Sequence, residues 1–314
     1  MLNYRFPGKS IVRKEGSFER RTDFTENGFV VCSFDKKNRF QFVENQVTKN
    51  SIPSKEIVSI SKGDYIIQGT QLVRAIRTLG IQKTVLSRVL TYDFDSEKGL
   101  ELFHLLEKTY PSAFVYYFED AELGTWIGAS PEILFQKEGN SGFTVALAAT
   151  KKVAENEPWN TKETLEQAFV TDFIEERLTG LKIEDLEKNG PYEHKAGPVK
   201  HLKTDFSFSI GSNSTFDFLE ALHPTPAVSG LPQHLSLELI ESLEKHQREL
   251  YAGYIGLVAE NQASVYVNLR CAQIQNGSIH LYLGGGYTKD SDPELEWKET
   301  ENKSKTILDL VQKL

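Results

Sequence analysis

Alternation of apolar and polar positions is clearest late in the chain. Within SVYVNLRCAQIQNGSIHLYLGGG (264–286), Val265, Val267, Leu269 and Cys271 alternate with Tyr266, Asn268, Arg270 and Ala272. A period of two puts each set on its own face of one long extended strand. Asn276-Gly277 then supplies the two residues of a type I′ turn, and 278–283 returns as the second strand of a hairpin. Strands also fit GFVVCSF (28–34), with DKKN as the turn after it, then TVLSRVLT (84–91), AFVYYF (113–118) and TWIGAS (125–130). Helical spacing fits 71–79, 96–110 and 164–178. In the last of these, Leu165, Ala168, Phe169, Phe173, Ile174 and Leu178 recur at helical intervals. LEKNGPYEHKAGPVK (186–200), with two Gly-Pro pairs, reads as the most linker-like segment. Similar signals lie on both sides of it, so one domain over 1–314 is expected. Antiparallel strands interleaved with helices predict an α+β fold.

Composition narrows the function. The chain has 314 residues, enough for a sizeable core, and a formal net charge of −8. Phosphate contacts supply most of a nucleic-acid binder's affinity and need a basic excess, so nucleic acid is not an expected partner. Cys32 and Cys271 carry no metal spacing and read as two reduced thiols. No apolar run approaches a membrane span and the first residues show no apolar leader, so a cytoplasmic protein without membrane contact is expected. Walker A, HExxH and paired CxxC motifs are absent from the sequence, and GGG at 284–286 lacks the GxGxxG pattern.

Several charged residues have two readings. Glu296, Glu299 and Lys303 fall at i, i+3 and i+7 on one helical face. Such a face is usually solvated and salt-bridged, but its carboxylates could also hold a hard cation. Glu166 interrupts an apolar helical stretch, as a boundary residue or as a partner of that cation. Glu132 in GASPEILF and Lys83 in QKTVLSR are strand-edge charges or a buried acid and base. Arg270 either sits on a solvated strand face or clamps a carboxylate in bidentate fashion. HPTPAVSGLP (223–232) packs three prolines and a glycine into ten residues, which stiffens the backbone.

Seven segments in order resemble the chorismate-utilising enzymes, the family of anthranilate synthase component I, aminodeoxychorismate synthase, salicylate synthase and isochorismate synthase. They are KTVLSR (83–88), GASPEILF (128–135), ALAAT (146–150), HPTPAVSGLP, YAGYIGLV (251–258), VNLRCAQI (267–274) and LGGGYTKDSDPELEWKETENK (283–303). They occupy the motif-bearing part, 81–314, while 1–80 forms a variable N-terminal part. The resemblance implies a sandwich of antiparallel sheets with helices outside. It also implies chorismate as substrate, Mg²⁺ as cofactor and a monomer.

The resemblance further assigns roles. Lys83 stands where isochorismate and salicylate synthases keep a lysine base and anthranilate synthase has glutamine. Such a base must be neutral, so burial or a neighbouring cation is expected. Ala148 stands where aminodeoxychorismate synthase has a nucleophilic lysine. HPTPAVSGLP resembles the isochorismate synthase version and would wall the substrate pocket. Glu132 would be the acid, Glu166 and Glu299 the metal ligands, and Glu296 an outer-sphere partner. Arg270 would grip the enolpyruvyl carboxylate, with Ala149, Thr150, Gly284, Gly286 and Lys303 lining the substrate. Two positions depart from the family pattern: Ala149 replaces a usual glycine and Gln167 a frequent histidine. The implied activity is isochorismate synthase, feeding menaquinone or siderophore synthesis, with water as nucleophile and so no amidotransferase subunit. The alternatives are a salicylate synthase and a catalytically silent chorismate-binding protein.

Overall fold

The computed structural model describes residues 1–24, 27–45, 56–155, 157–196 and 199–314. Seventeen strands and six α-helices are found among them. The strands begin with β1 (Leu2–Arg5), β2 (Val12–Lys14), β3 (Gly16–Arg20), β4 (Gly28–Cys32), β5 (Arg39–Glu44) and β6 (Lys83–Asp93). Next come β7 (Phe114–Asp120), β8 (Gly124–Ser130), β9 (Ile133–Glu138), β10 (Ser141–Lys152), β11 (Glu184–Ala196) and β12 (Val199–Ser209). The last are β13 (Gly230–Leu231), β14 (Tyr254–Ala259), β15 (Gln262–Val267), β16 (Cys271–Gln275) and β17 (Ser278–Tyr287). The helices are α1 (Lys62–Leu79), α2 (Gly99–Thr109), α3 (Thr161–Gly180), α4 (Thr215–Leu222), α5 (Gln233–Leu243) and α6 (Pro293–Val311).

Two antiparallel sheets result, ordered β13-β6-β17-β16-β8-β7-β1-β2 and β11-β12-β10-β9-β15-β14-β4-β5-β3. Their facing side chains form the main core. Phe114, Tyr116 and Phe118 of β7 share it with Phe29 and Val31 of β4 and Phe135 of β9. The alternate residues Val115 and Tyr117 enter a second core with Phe103 and Leu106 of α2 and Ile307 and Leu310 of α6. Strand β7 is thus buried on both faces, which is why AFVYYF is an unbroken apolar run. The α+β expectation holds. Among the described residues, no helix is long and apolar enough to cross a membrane.

Helix boundaries follow local chemistry. Ser61 caps the Asp64 N–H at the start of α1, and Gly80 ends the helix at φ 66°, a left-handed position open to glycine. A reciprocal capping box joins Asn160 and Glu163 at the start of α3. Asp292 and Pro293 open α6.

Two expectations need correction. The segment 186–200 is no linker, because most of it belongs to the antiparallel β11–β12 pair. The Gly190-Pro191 pair falls where the register shifts between Asn189 and Tyr192. β11 is an edge strand, so a residue lacking an N–H is tolerated there. The second Gly-Pro pair, 197–198, lies outside the described residues. The run 264–275 is not one strand either. It divides into β15 and β16, which belong to different sheets, and the chain changes sheet at 268–270. The Leu269 N–H bonds the Val267 carbonyl, the Asn268 N–H bonds the Gly253 carbonyl, and Arg270 has φ 48°. The face read as polar is buried: Asn268 accepts a bond from the Tyr116 hydroxyl at 2.8 Å, and Tyr266 stacks on Phe114.

Candidate active site

Strand β6 pairs with β17 along its length, setting Gly284 opposite Ser87, Gly285 opposite Leu86 and Gly286 opposite Val85. Each glycine makes room for a neighbour. A Cβ on Gly286 would stand 3.0 Å from Lys83 Cε, and one on Gly284 would stand 2.6 Å from the Tyr251 hydroxyl. On Gly285 it would meet Glu296 Oε2 and the Tyr65 hydroxyl, both at 3.2 Å. The GGG run is therefore a surface kept flush so that functional side chains can lie against it.

Lys83 and Tyr251 border a cavity of about 400 Å³. Lys83, Glu132, Ala149, Glu166, Arg270, Gly284, Gly286, Glu299 and Lys303 all line it. They come from β6, the β8–β9 connection, β10, α3, the sheet-changing corner, β17 and α6. The side chain of Thr150 lies outside what the structure describes. Glu296 is not on the cavity surface; it is buried behind it at 3% exposure. Two larger cavities, of about 640 and 620 Å³, contain none of the expected site residues.

Burial governs the electrostatics. Glu132 is buried, and desolvation pushes its carboxyl up to about 7, against the pull of Lys83 and Lys303. Lys83 is also buried, and its neighbour is a carboxylate rather than a cation: Nζ lies 3.8 Å from Glu166 Oε2. Lys303 Nζ stands 2.5 Å from Glu299 Oε1 and donates to the Gly284 carbonyl at 2.8 Å. Burial would raise the Glu299 carboxyl, but Lys303, Lys162 and Lys83 together outweigh it and the net shift is downward. The Arg270 guanidinium donates through Nη1 to the Lys303 carbonyl at 3.1 Å and to Thr306 Oγ1 at 3.4 Å. Its remaining donors have no partner among the described residues, and it lines the cavity.

The two departures from the family pattern have local accounts. Ala149 has φ 55°, the left-handed region that a glycine enters without cost. Its carbonyl pairs with His201 Nδ1 at 3.0 Å. Gln167 faces inward, donating from Nε2 to the Ala146 carbonyl and to Thr204 Oγ1, both at 3.1 Å.

The carboxylates provide only oxygen donors, which suits a hard cation. Glu166 and Glu299 share the cavity wall, and Glu296 Oε2 is a buried oxygen with no hydrogen-bond partner. Among the described residues, no group of three or more His, Cys, Asp or Glu side chains is close enough to form a complete protein cage. The donor set thus fits an ion that takes one or two carboxylates and fills its shell from substrate and water, which is the habit of Mg²⁺.

Ala227 and Val228 of HPTPAVSGLP line the cavity, so the expected wall is present. His223 does not. Its Nε2 lies 3.1 Å from the Phe34 carbonyl, and burial pushes its pKa down to about 3. Sequence reasoning missed Lys162, His201 and Tyr251, all on the cavity wall. Lys162 was signalled by its i, i+4 spacing to Glu166. His201 carried no signal, because its strand follows the segment read as a linker.

Known proteins resemble this chain in sequence and in fold. The family model described as chorismate binding enzyme matches residues 26–312. Isochorismate synthase EntC of Escherichia coli is 30% identical over 244 residues, 73% of this chain and 62% of that protein. Anthranilate synthase component 1 of Saccharolobus solfataricus is 27% identical over 268 residues, covering 79% and 62%. The aligned region therefore spans about three fifths of these relatives' length. The solved structure of MenF, the menaquinone-specific isochorismate synthase of E. coli, superposes with a TM-score of 0.82 over 99% of this chain and 88% of that one, at 20% identity. That likeness establishes the fold. With nearly its whole length matched by the family model, the chain belongs to the chorismate-binding enzymes.

Proposed function

We propose that this protein is an isochorismate synthase that adds water to C2 of chorismate and expels the C4 hydroxyl. The observation that carries the reading is a buried lysine and a buried glutamic acid lining one cavity; the resemblance sets Lys83 where anthranilate synthase, which uses ammonia, has glutamine. Lys83 removes a proton from water as its oxygen bonds to C2. The ring double bonds shift, and the C4–O bond breaks. Glu132 supplies the proton that turns the departing hydroxyl into water, so one water enters and one leaves. An acid raised to about 7 is about half protonated at neutrality and increasingly so below it, which supplies the proton this role requires. Arg270 holds the enolpyruvyl carboxylate through its unused donors. Lys303 and the glycine surface of β17 border the substrate's anionic side.

Glu166 and Glu299 would hold Mg²⁺, with Glu296 behind them; when bound, the ion neutralises the ring carboxylate and withdraws electron density from the ring. Local charges at the site outweigh the distant, screened net charge of −8, so an acidic protein can still take a dianion.

Lys83→Ala tests the assignment. The variant is expected to keep its far-UV circular dichroism and to lose at least about a hundredfold in kcat, the scale of one general base. Turnover near that of the unaltered protein would remove Lys83 from the mechanism.

A further inference from the structure

Lys162 occupies an unexpected position. It lies in the first turn of α3, after the Asn160 cap, where the helix dipole disfavours a positive charge. Its ammonium nevertheless reaches two carboxylates, 3.0 Å from Glu296 Oε1 and 3.8 Å from Glu166 Oε1. Glu296 comes from α6 and is 3% exposed, so Lys162 bridges two helices through a buried acid. The side chain itself is 40% exposed and can swing to water.

The site's charges explain why this matters. Lys83 lies by Glu166, Lys162 by Glu166 and Glu296, and Lys303 by Glu299. Three lysines thus stand against three glutamates. A divalent cation entering this cluster meets carboxylates already engaged and, at Lys162, a charge that repels it.

We infer that Lys162 is a built-in competitor for the divalent cation, filling the Glu166–Glu296 gap until the metal displaces it. This rests on the metal reading above and adds to it a residue that sets the ion's affinity. The ammonium gives buried Glu296 a partner when no metal is bound, and its exposed, flexible stem lets it withdraw. A dianionic substrate, arriving with the metal, would restore the charge balance and favour that exchange.

The test measures Mn²⁺ binding to substrate-free protein by electron paramagnetic resonance, with isothermal titration by Mg²⁺ as a second probe. Lys162→Met removes the charge at a partly exposed position, and Lys162→Arg retains it. The methionine variant is expected to bind Mn²⁺ at least about threefold more tightly than the unaltered protein, with the arginine variant close to the unaltered protein. Equal or weaker binding by Lys162→Met would overturn the inference while leaving the metal site intact. If the unaltered protein and both variants lack saturable binding of either ion, the metal assignment falls, and the inference with it.

Discussion

At the scale of single residues, the site works through burial. Glu132 titrates about where the cell's pH lies because its pocket penalises the charged form. As the acid it must carry a proton, so kcat is expected to fall as pH rises through about 7; a flat profile from pH 6 to 8.5 would contradict the role. The same shift has a sign for stability. Raised in the folded protein above its ordinary 4.5, the carboxyl stabilises the fold least above pH 7, where the buried charge is uncompensated by protonation. Glu132→Gln should therefore raise Tm at pH 8, by an amount worth up to about 3 kcal/mol. The gain should vanish as pH falls through the interval from 7 to 4.5, and an equal gain at pH 8 and pH 4 would refute this account. Residue types announced much of this site. Lys83, Glu132, Glu166, Arg270, Glu299 and Lys303 each have an ordinary reading beside the functional one, and the family resemblance singles them out; the structure gathers all six around one cavity. What the sequence hid was depth. Glu296 and Glu299 share a helical face, yet one is nearly fully buried and the other leaves 43% of its side chain exposed.

At the scale of elements, β17 is the clearest link between pattern and chemistry. Three consecutive glycines weaken a strand, because they pack nothing and cost backbone entropy. Here they create the space in which Lys83, Tyr251 and Glu296 lie. Gly286→Ala should leave the β6–β17 ladder formed but push against Lys83 Cε. A loss of at least tenfold in kcat with Tm lowered by only a few degrees is expected; unchanged kcat would show that Lys83 does not need that contact. Periodicity recovered the helices at 71–79, 96–110 and 164–178 in part or whole, but the face read in α3 was imperfect, since Leu165 is exposed while Gln167 and Thr171 are buried. It failed where topology overrode pattern. Alternation ran smoothly through 264–275, but a change of sheet at 268–270 is a tertiary event that leaves period two intact on both sides. The 186–200 hairpin was hidden because Gly-Pro pairs signal a break, and an edge strand can absorb one.

At the scale of the whole molecule, the two sheets and the helices over them bring seven separated segments to one cavity. Order along the chain suggested a shared site, but only the sheet order explains how the residues meet. β6 and β17 are neighbours although nearly two hundred residues separate them, and α3 and α6, more than a hundred residues apart in sequence, both supply carboxylates. Residues 1–80 contain none of the seven segments, yet β1, β4 and β5 complete both sheets and α1 packs on α6. The central claim concerns which product leaves this cavity. Chromatography of a chorismate reaction, with and without Mg²⁺ and with pyruvate assayed in parallel, tests it most directly. The account predicts isochorismate, formed only with Mg²⁺ and without pyruvate. Salicylate with equimolar pyruvate would instead make the protein a salicylate synthase, and no turnover in either condition would contradict the assigned chemistry altogether.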